Sequence, residues 1–95
     1  MALLPQRTAG TVSVLDLLAL ERIERDLYRA PLVVDEPLPL YGGQIAAQAL
    51  NAAGLTVPAE RVPHSLHGYF LRPGVSTEPT VYRVERDRDG WSYSA

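Results

Sequence analysis

The sequence predicts an α+β fold in which an antiparallel sheet curls around one long central helix. Three observations carry this. No charged residue occurs between Glu36 and Glu60, and the middle of that interval, Tyr41-Gly42-Gly43-Gln44-Ile45-Ala46-Ala47-Gln48-Ala49-Leu50-Asn51-Ala52-Ala53-Gly54, consists largely of strong helix formers. Residues 62–71 are rich in aromatic and β-prone side chains and stop at Arg72-Pro73-Gly74, a turn signal. Residues 79–87 alternate in polarity, and Asp89-Gly90 then supplies a hairpin signal ahead of a further strand over 91–95.

The central helix is expected over 43–54, with Gly54 as a left-handed residue just past its end and Pro58 as a stop. In place of the charges an outer face normally carries, it has only Gln44, Gln48 and Asn51, at i, i+4 and i+7. The rest of its circumference is Ala, Ile and Leu, so other structure should wrap it on most sides. It is no membrane span, because Pro37, Pro39, Pro58, the glycines and the amides interrupt any run of the roughly 20 apolar residues required.

Ahead of that helix, residues 1–12 read as a flexible leader and 13–95 as one domain. Ser13-Val14-Leu15-Asp16 has the form of a helix N-cap, with Val14, Leu17 and Leu18 as the apolar face. From Leu20 to Leu27 the pattern fits either a helix or a strand. Pro31, Pro37 and Pro39 make residues 30–40 an extended loop that leads into the central helix. In the strand at 62–71, His64, Leu66, Gly68 and Phe70 share one face, and Ser65, His67, Tyr69 and Leu71 share the other. In the next strand, Tyr82 and Val84 oppose Arg83 and Glu85. The last strand is only begun, which leaves an open edge and implies a longer polypeptide or a second chain that completes the sheet.

At 95 residues the chain is one domain at most, and a chain so short buries only about 60–65% of its extended surface. A net charge of −2 with no basic patch points neither to nucleic acid nor to an anionic membrane. All nine basic residues are arginine, read as a coding bias rather than a binding signal. Without cysteine there is no thiol nucleophile or thiolate metal site. No apolar signal segment follows Met1, so a cytoplasmic protein is expected.

Tyr41-Gly42-Gly43-Gln44, then Gln48-Ala49-Leu50, then His64-Ser65-Leu66-His67-Gly68-Tyr69-Phe70-Leu71-Arg72-Pro73-Gly74, then Arg88-Asp89-Gly90-Trp91-Ser92-Tyr93-Ser94 together resemble the N-terminal hot-dog domain of the type II acyl-CoA thioesterase family. The resemblance runs from about Leu20 to the last residue and implies a hot-dog fold, a short helix near 14–19 and a first strand over 22–28. It further implies two hot-dogs in tandem that hydrolyse fatty acyl-CoA to free acid and coenzyme A, with the hydrolytic Asp, Thr and Gln mostly in the second. By that resemblance this chain holds an N-terminal hot-dog cut short after its last strand begins, and needs a partner hot-dog or an oligomer for activity. No cofactor is implied. The competing expectation is a noncatalytic hot-dog that binds an acyl chain or mediates assembly.

Thioester hydrolysis needs a base or orienting group for water, and donors where the carbonyl oxygen gathers charge. The N-terminus of the central helix offers donors, and Gly42 and Gly43 would let a thioester approach them without a Cβ in the way, with Gln44 adding a side-chain amide. The glycines serve equally well for tight helix entry beneath the sheet. His64 is the candidate catalytic base, or else a satisfied histidine at a strand start. His67 lies on the opposite face, so the pair grips no metal, and Ser65 beside His64 is no nucleophile–base pair for the same reason. No Gly-x-Ser-x-Gly elbow is present. Arg61 and Arg72 flank the strand and either meet coenzyme A phosphates or stay solvated. Tyr69, Phe70, Tyr82, Trp91 and Tyr93 read as core and interface rather than as an acyl pocket.

Overall fold

A computed structural model describes residues 13–31, 41–75 and 77–95. The expectations for the leader at 1–12 and for most of the proline loop, 32–40, lie outside the described residues. The chain builds α1 (Val14–Leu17), β1 (Glu21–Glu24), β2 (Leu27–Arg29), α2 (Gly42–Gly54) and β3 (Val81–Arg83). The strands form one antiparallel sheet in the order β1-β2-β3. Such a sheet with one long helix is the α+β, hot-dog arrangement expected from the sequence.

The capping box forms as expected. Ser13 Oγ accepts from Asp16 N–H at 3.2 Å, while the Asp16 carboxylate accepts from Ser13 N–H at 3.1 Å. The helix is shorter than the 14–19 expected, and its Val14 is exposed while Leu17 and Leu18 are half-buried.

The single strand expected over 22–28 is instead a hairpin. Arg25 and Asp26 make the turn, with Asp26 at φ 59, a left-handed value that a short polar side chain tolerates better than most. The apolar spacing of Ile23 and Leu27 hid this reversal, and Asp26 alone hinted at it. Across the hairpin Glu21 faces Arg29, Arg22 faces Tyr28 and Glu24 faces Leu27, so Ile23 sits in a bulge. Strand β2 then pairs with β3, Tyr28 opposite Tyr82, and bonds from Ala30 N–H to Thr80 O and from Val84 N–H to Asp26 O extend that ladder at both ends.

Strand β3 is shorter than the expected 79–87, but its alternation holds: Tyr82, Val84 and Arg86 are half-buried while Val81, Arg83 and Glu85 are exposed. Residues 61–71 carry no turn, bend or helix yet join no ladder, so the expected strand at 62–71 does not form among the described residues. The parity survives in part, since the His67 and Tyr69 rings lie on one side with centroids 5.0 Å apart. No strand forms over 91–95 either. The chain instead reverses at Trp91-Ser92, two residues later than the Asp89-Gly90 signal suggests, closed by Gly90 N–H to Tyr93 O and Ala95 N–H to Arg88 O.

Two expectations about α2 are corrected. Gly54 is the last helical residue with no positive φ, and Leu55 closes the helix in the right-handed region by donating to Asn51 O. The amide stripe also points the other way. Gln48 is the buried polar residue of the helix, 1% exposed, and Asn51 is half-buried, whereas Gly43, Ala53 and Gly54 face water. The amides turn inward because the end of α1 lies beneath them: Gln48 Nε2 donates to Leu17 O at 2.8 Å and Asn51 Nδ2 to Leu18 O at 2.7 Å, an oxygen that also accepts from Leu20 N–H. With Tyr28, Ala30 and Ala52, Gln48 makes a small core where helix and sheet meet.

Candidate functional site

Helix α2 starts without a side-chain cap: Tyr41 is the N-cap, its side chain makes no capping bond, and no acid lies in the first turn. Tyr41 O accepts from Gln44 N–H at 3.0 Å and from Ile45 N–H at 3.2 Å. Both glycines are in close contact with aromatic rings. A Cβ on Gly42 would stand 3.1 Å from Phe70 Cζ, and one on Gly43 would stand 2.3 Å from Tyr41 Cε2. The space left by the two missing side chains is therefore occupied by two rings that are themselves mostly exposed, Phe70 at 65% and Tyr41 at 77%.

Of the candidate residues, Gly42, Gly43 and Gln44 stand together on the first turn of α2. His64 and Arg72 are exposed, and neither has a hydrogen bond or ion pair among the described residues. What the structure brings to the helix start from the following segment is Phe70, which was expected in the core. At Gly68, on the same segment, nothing lies within 4 Å of a Cβ built there. Arg61 is committed elsewhere: it donates to Ser94 Oγ, to Gly90 O at 2.7 Å and to Trp91 O at 3.1 Å, and so pins the terminal reversal.

Two polar clusters, one at the middle of α2 and one just past its C-terminal end, were missed by sequence reasoning. In the first, the Tyr82 hydroxyl donates to Gln48 Oε1 at 2.6 Å, joining β3 to α2, and burial pushes the Tyr82 phenol above its ordinary pKa. In the second, Arg86 reaches the hairpin turn, donating from Nε and Nη2 to the two Asp26 oxygens at 3.2 and 3.1 Å, from Nη1 to Asp89 at 2.9 Å, and to Thr56 O just beyond α2. The Asp26 hydrogen bonds, helped by Asp89 and opposed by desolvation, raise the Arg86 pKa further, so it is permanently charged. The half-buried parity of β3 was the available signal for both clusters, since it put Tyr82 and Arg86 on the inner face.

Among the described residues no three His, Cys, Asp or Glu side chains gather to hold a metal ion, and no helix is long and apolar enough to cross a membrane.

The profile of the acyl-CoA thioesterase N-terminal domain matches residues 36–95, which take in the helix start, the Phe70 segment and the terminal reversal. The chain belongs to the acyl-CoA thioesterase family. Among curated relatives it is 41% identical over 83 residues to acyl-CoA thioesterase 2 of Haemophilus influenzae, covering 87% of this chain and 29% of that protein. It is 43% identical over 90 residues to acyl-coenzyme A thioesterase 8 of Homo sapiens, covering 95% of this chain and 28% of that protein. A yeast relative, peroxisomal acyl-coenzyme A thioester hydrolase 1 of Saccharomyces cerevisiae, is 36% identical over 53 residues, 56% of this chain and 15% of its own length. The chain thus spans less than a third of each of these three relatives.

Proposed function

We propose that this chain is the N-terminal hot-dog of an acyl-CoA thioesterase that hydrolyses fatty acyl-CoA to free fatty acid and coenzyme A, with a second hot-dog supplying the groups that activate water. The match of residues 36–95 to the N-terminal domain profile carries the reading. In the reaction water adds to the thioester carbonyl, the C–S bond breaks and the thiolate of coenzyme A takes up a proton. The N–H groups at the start of α2 and the Gln44 side chain are the proposed donors to the carbonyl oxygen. His64 is the proposed proton acceptor on this half, and Arg72, two residues past Phe70, is a proposed substrate contact.

The rings of Phe70 and Tyr41 stand where a thioester would approach the glycines. Because both are mostly exposed, substrate or the second hot-dog moves them at little packing cost. The apolar, unladdered segment over 62–71, with Tyr69 and Leu71 exposed at 82% and 90%, is the surface we assign to that second hot-dog or to an oligomeric partner. A cytoplasmic location belongs to the same reading and is checked by fractionation.

The test is release of free thiol from a long-chain acyl-CoA by the protein that contains this chain together with its C-terminal continuation. Turnover supports the reading. Saturable binding of acyl-CoA without thiol release overturns it in favour of a noncatalytic acyl-binding hot-dog, a reading favoured by the two rings that cover the glycines.

A further inference from the structure

An open cleft of about 560 Å³ lies between the β1–β2 turn and the C-terminal end of α2, at the other end of the helix from Gly42. Its lining residues include three arginines, Arg22, Arg25 and Arg86, and one acid, Asp26, in a chain whose net charge is −2. Adding Asp89, which bonds Arg86, leaves three positive charges against two negative. The arginines are not equivalent. Arg86 is fixed by Asp26, Asp89 and Thr56 O, which also covers a carbonyl beyond the helix that would otherwise repel an anion. Arg25 comes no closer than 3.9 Å to Asp26, beyond hydrogen-bond range, and Arg22 has no ion pair among the described residues. Arg22 and Arg25 thus line the cleft with donors to spare, together with the immobilised Arg86 and the apolar Leu55.

We propose that this cleft binds the phosphorylated nucleotide end of acyl-CoA. The proposal rests on the thioesterase reading above and adds a second contact region to it. Arginine suits a phosphate because its planar fork can give two hydrogen bonds to one group, and Leu55 offers an apolar surface for the base or ribose. The spacing also fits: a helix of 13 residues is about 20 Å long, and an extended pantetheine arm can run beside it from a thioester at Gly42 to phosphates at this cleft.

The test compares two substrates of the full-length protein, a fatty acyl-CoA and the corresponding S-acyl-pantetheine, which lacks the nucleotide. In R22E/R25E the KM for acyl-CoA is expected to rise roughly tenfold relative to that for S-acyl-pantetheine, and the wild-type difference between the substrates should shrink as salt is added. An equal change for both substrates, or no change, overturns the proposal, as does a nucleotide dependence lost in Arg72→Glu and kept in R22E/R25E. Calorimetric titration with adenosine 3′,5′-bisphosphate separates the cleft from the chemistry. Binding that is lost in R22E/R25E upholds the site even if the protein releases no thiol from acyl-CoA, an outcome that would sink only the thioesterase reading. Inorganic phosphate binding as tightly as the bisphosphate would overturn the assignment to a nucleotide.

Discussion

The Tyr82 hydroxyl donates to the side-chain carbonyl of Gln48 at 2.6 Å, and the amide of the same Gln48 donates to Leu17 O at 2.8 Å. One buried glutamine therefore links the inner face of β3, the middle of α2 and the end of α1. Removing one partner of a buried polar group costs more than the bond itself is worth, because the other partner is left without water. Tyr82→Phe should thus destabilise the protein by about 1–3 kcal/mol in chemical denaturation. A change within a few tenths of a kcal/mol would mean that Gln48 finds water in solution.

The same pair sets an alkaline limit. Burial raises the Tyr82 phenol in the folded state above its ordinary value of 10.0, so the folded state favours the neutral hydroxyl. Its contribution to stability is complete below the unfolded value and is lost as pH climbs from about 10 through the raised folded value. Melting temperatures recorded from pH 8 upward should fall more steeply above pH 10 in the wild type than in Tyr82→Phe.

Gln48 and Gln44 offer a paired comparison on one helix. Gln48→Leu strands both Leu17 O and the Tyr82 hydroxyl and should cost about 1–3 kcal/mol. Gln44→Leu, one turn earlier at a half-buried position, should cost clearly less. The reverse order would contradict the inward placement of the amide stripe.

Asp26 joins a backbone role to a side-chain role. At φ 59 a glycine fits freely, whereas an alanine pays roughly 1–2 kcal/mol for the left-handed conformation. Asp26→Gly and Asp26→Ala lose the same contact with Arg86, so the difference between their unfolding free energies isolates the backbone term, and Asp26→Gly should be the more stable by about that amount. Equal stabilities would place the turn elsewhere.

Gly42 and Gly43 carry predictions about turnover rather than stability. A methyl at Gly43 would meet the Tyr41 ring at 2.3 Å, and one at Gly42 would meet Phe70 at 3.1 Å. Gly43→Ala should therefore displace Tyr41 and lower kcat/KM for acyl-CoA several-fold with little loss of melting temperature, since the ring it moves is exposed. If thiol release is unchanged in both Gly→Ala variants, the helix start does not meet the thioester.

What the sequence disclosed depended on whether the deciding interaction was local. The Ser13–Asp16 box and the helix from Gly42 to Gly54 rest on residues three or four apart, and both were legible. The β1–β2 hairpin was missed because its turn uses Asp26 in a left-handed conformation with no glycine to announce it. The amide stripe was read as facing out because an uncharged polar residue satisfies water and a helix-end carbonyl equally well, and only α1, more than 30 residues away, decides between them. At the candidate site the glycines were found but their neighbours were not, since the Phe70 contact spans the loop and joins no ladder.

The most direct measurement of the central claim is a complementation assay, in which thiol release from a long-chain acyl-CoA is followed for this chain, for its C-terminal continuation, and for the two mixed. The account predicts turnover by the mixture and negligible turnover by this chain alone. Full activity from these 95 residues alone would contradict it, as would a mixture that binds acyl-CoA and releases no thiol.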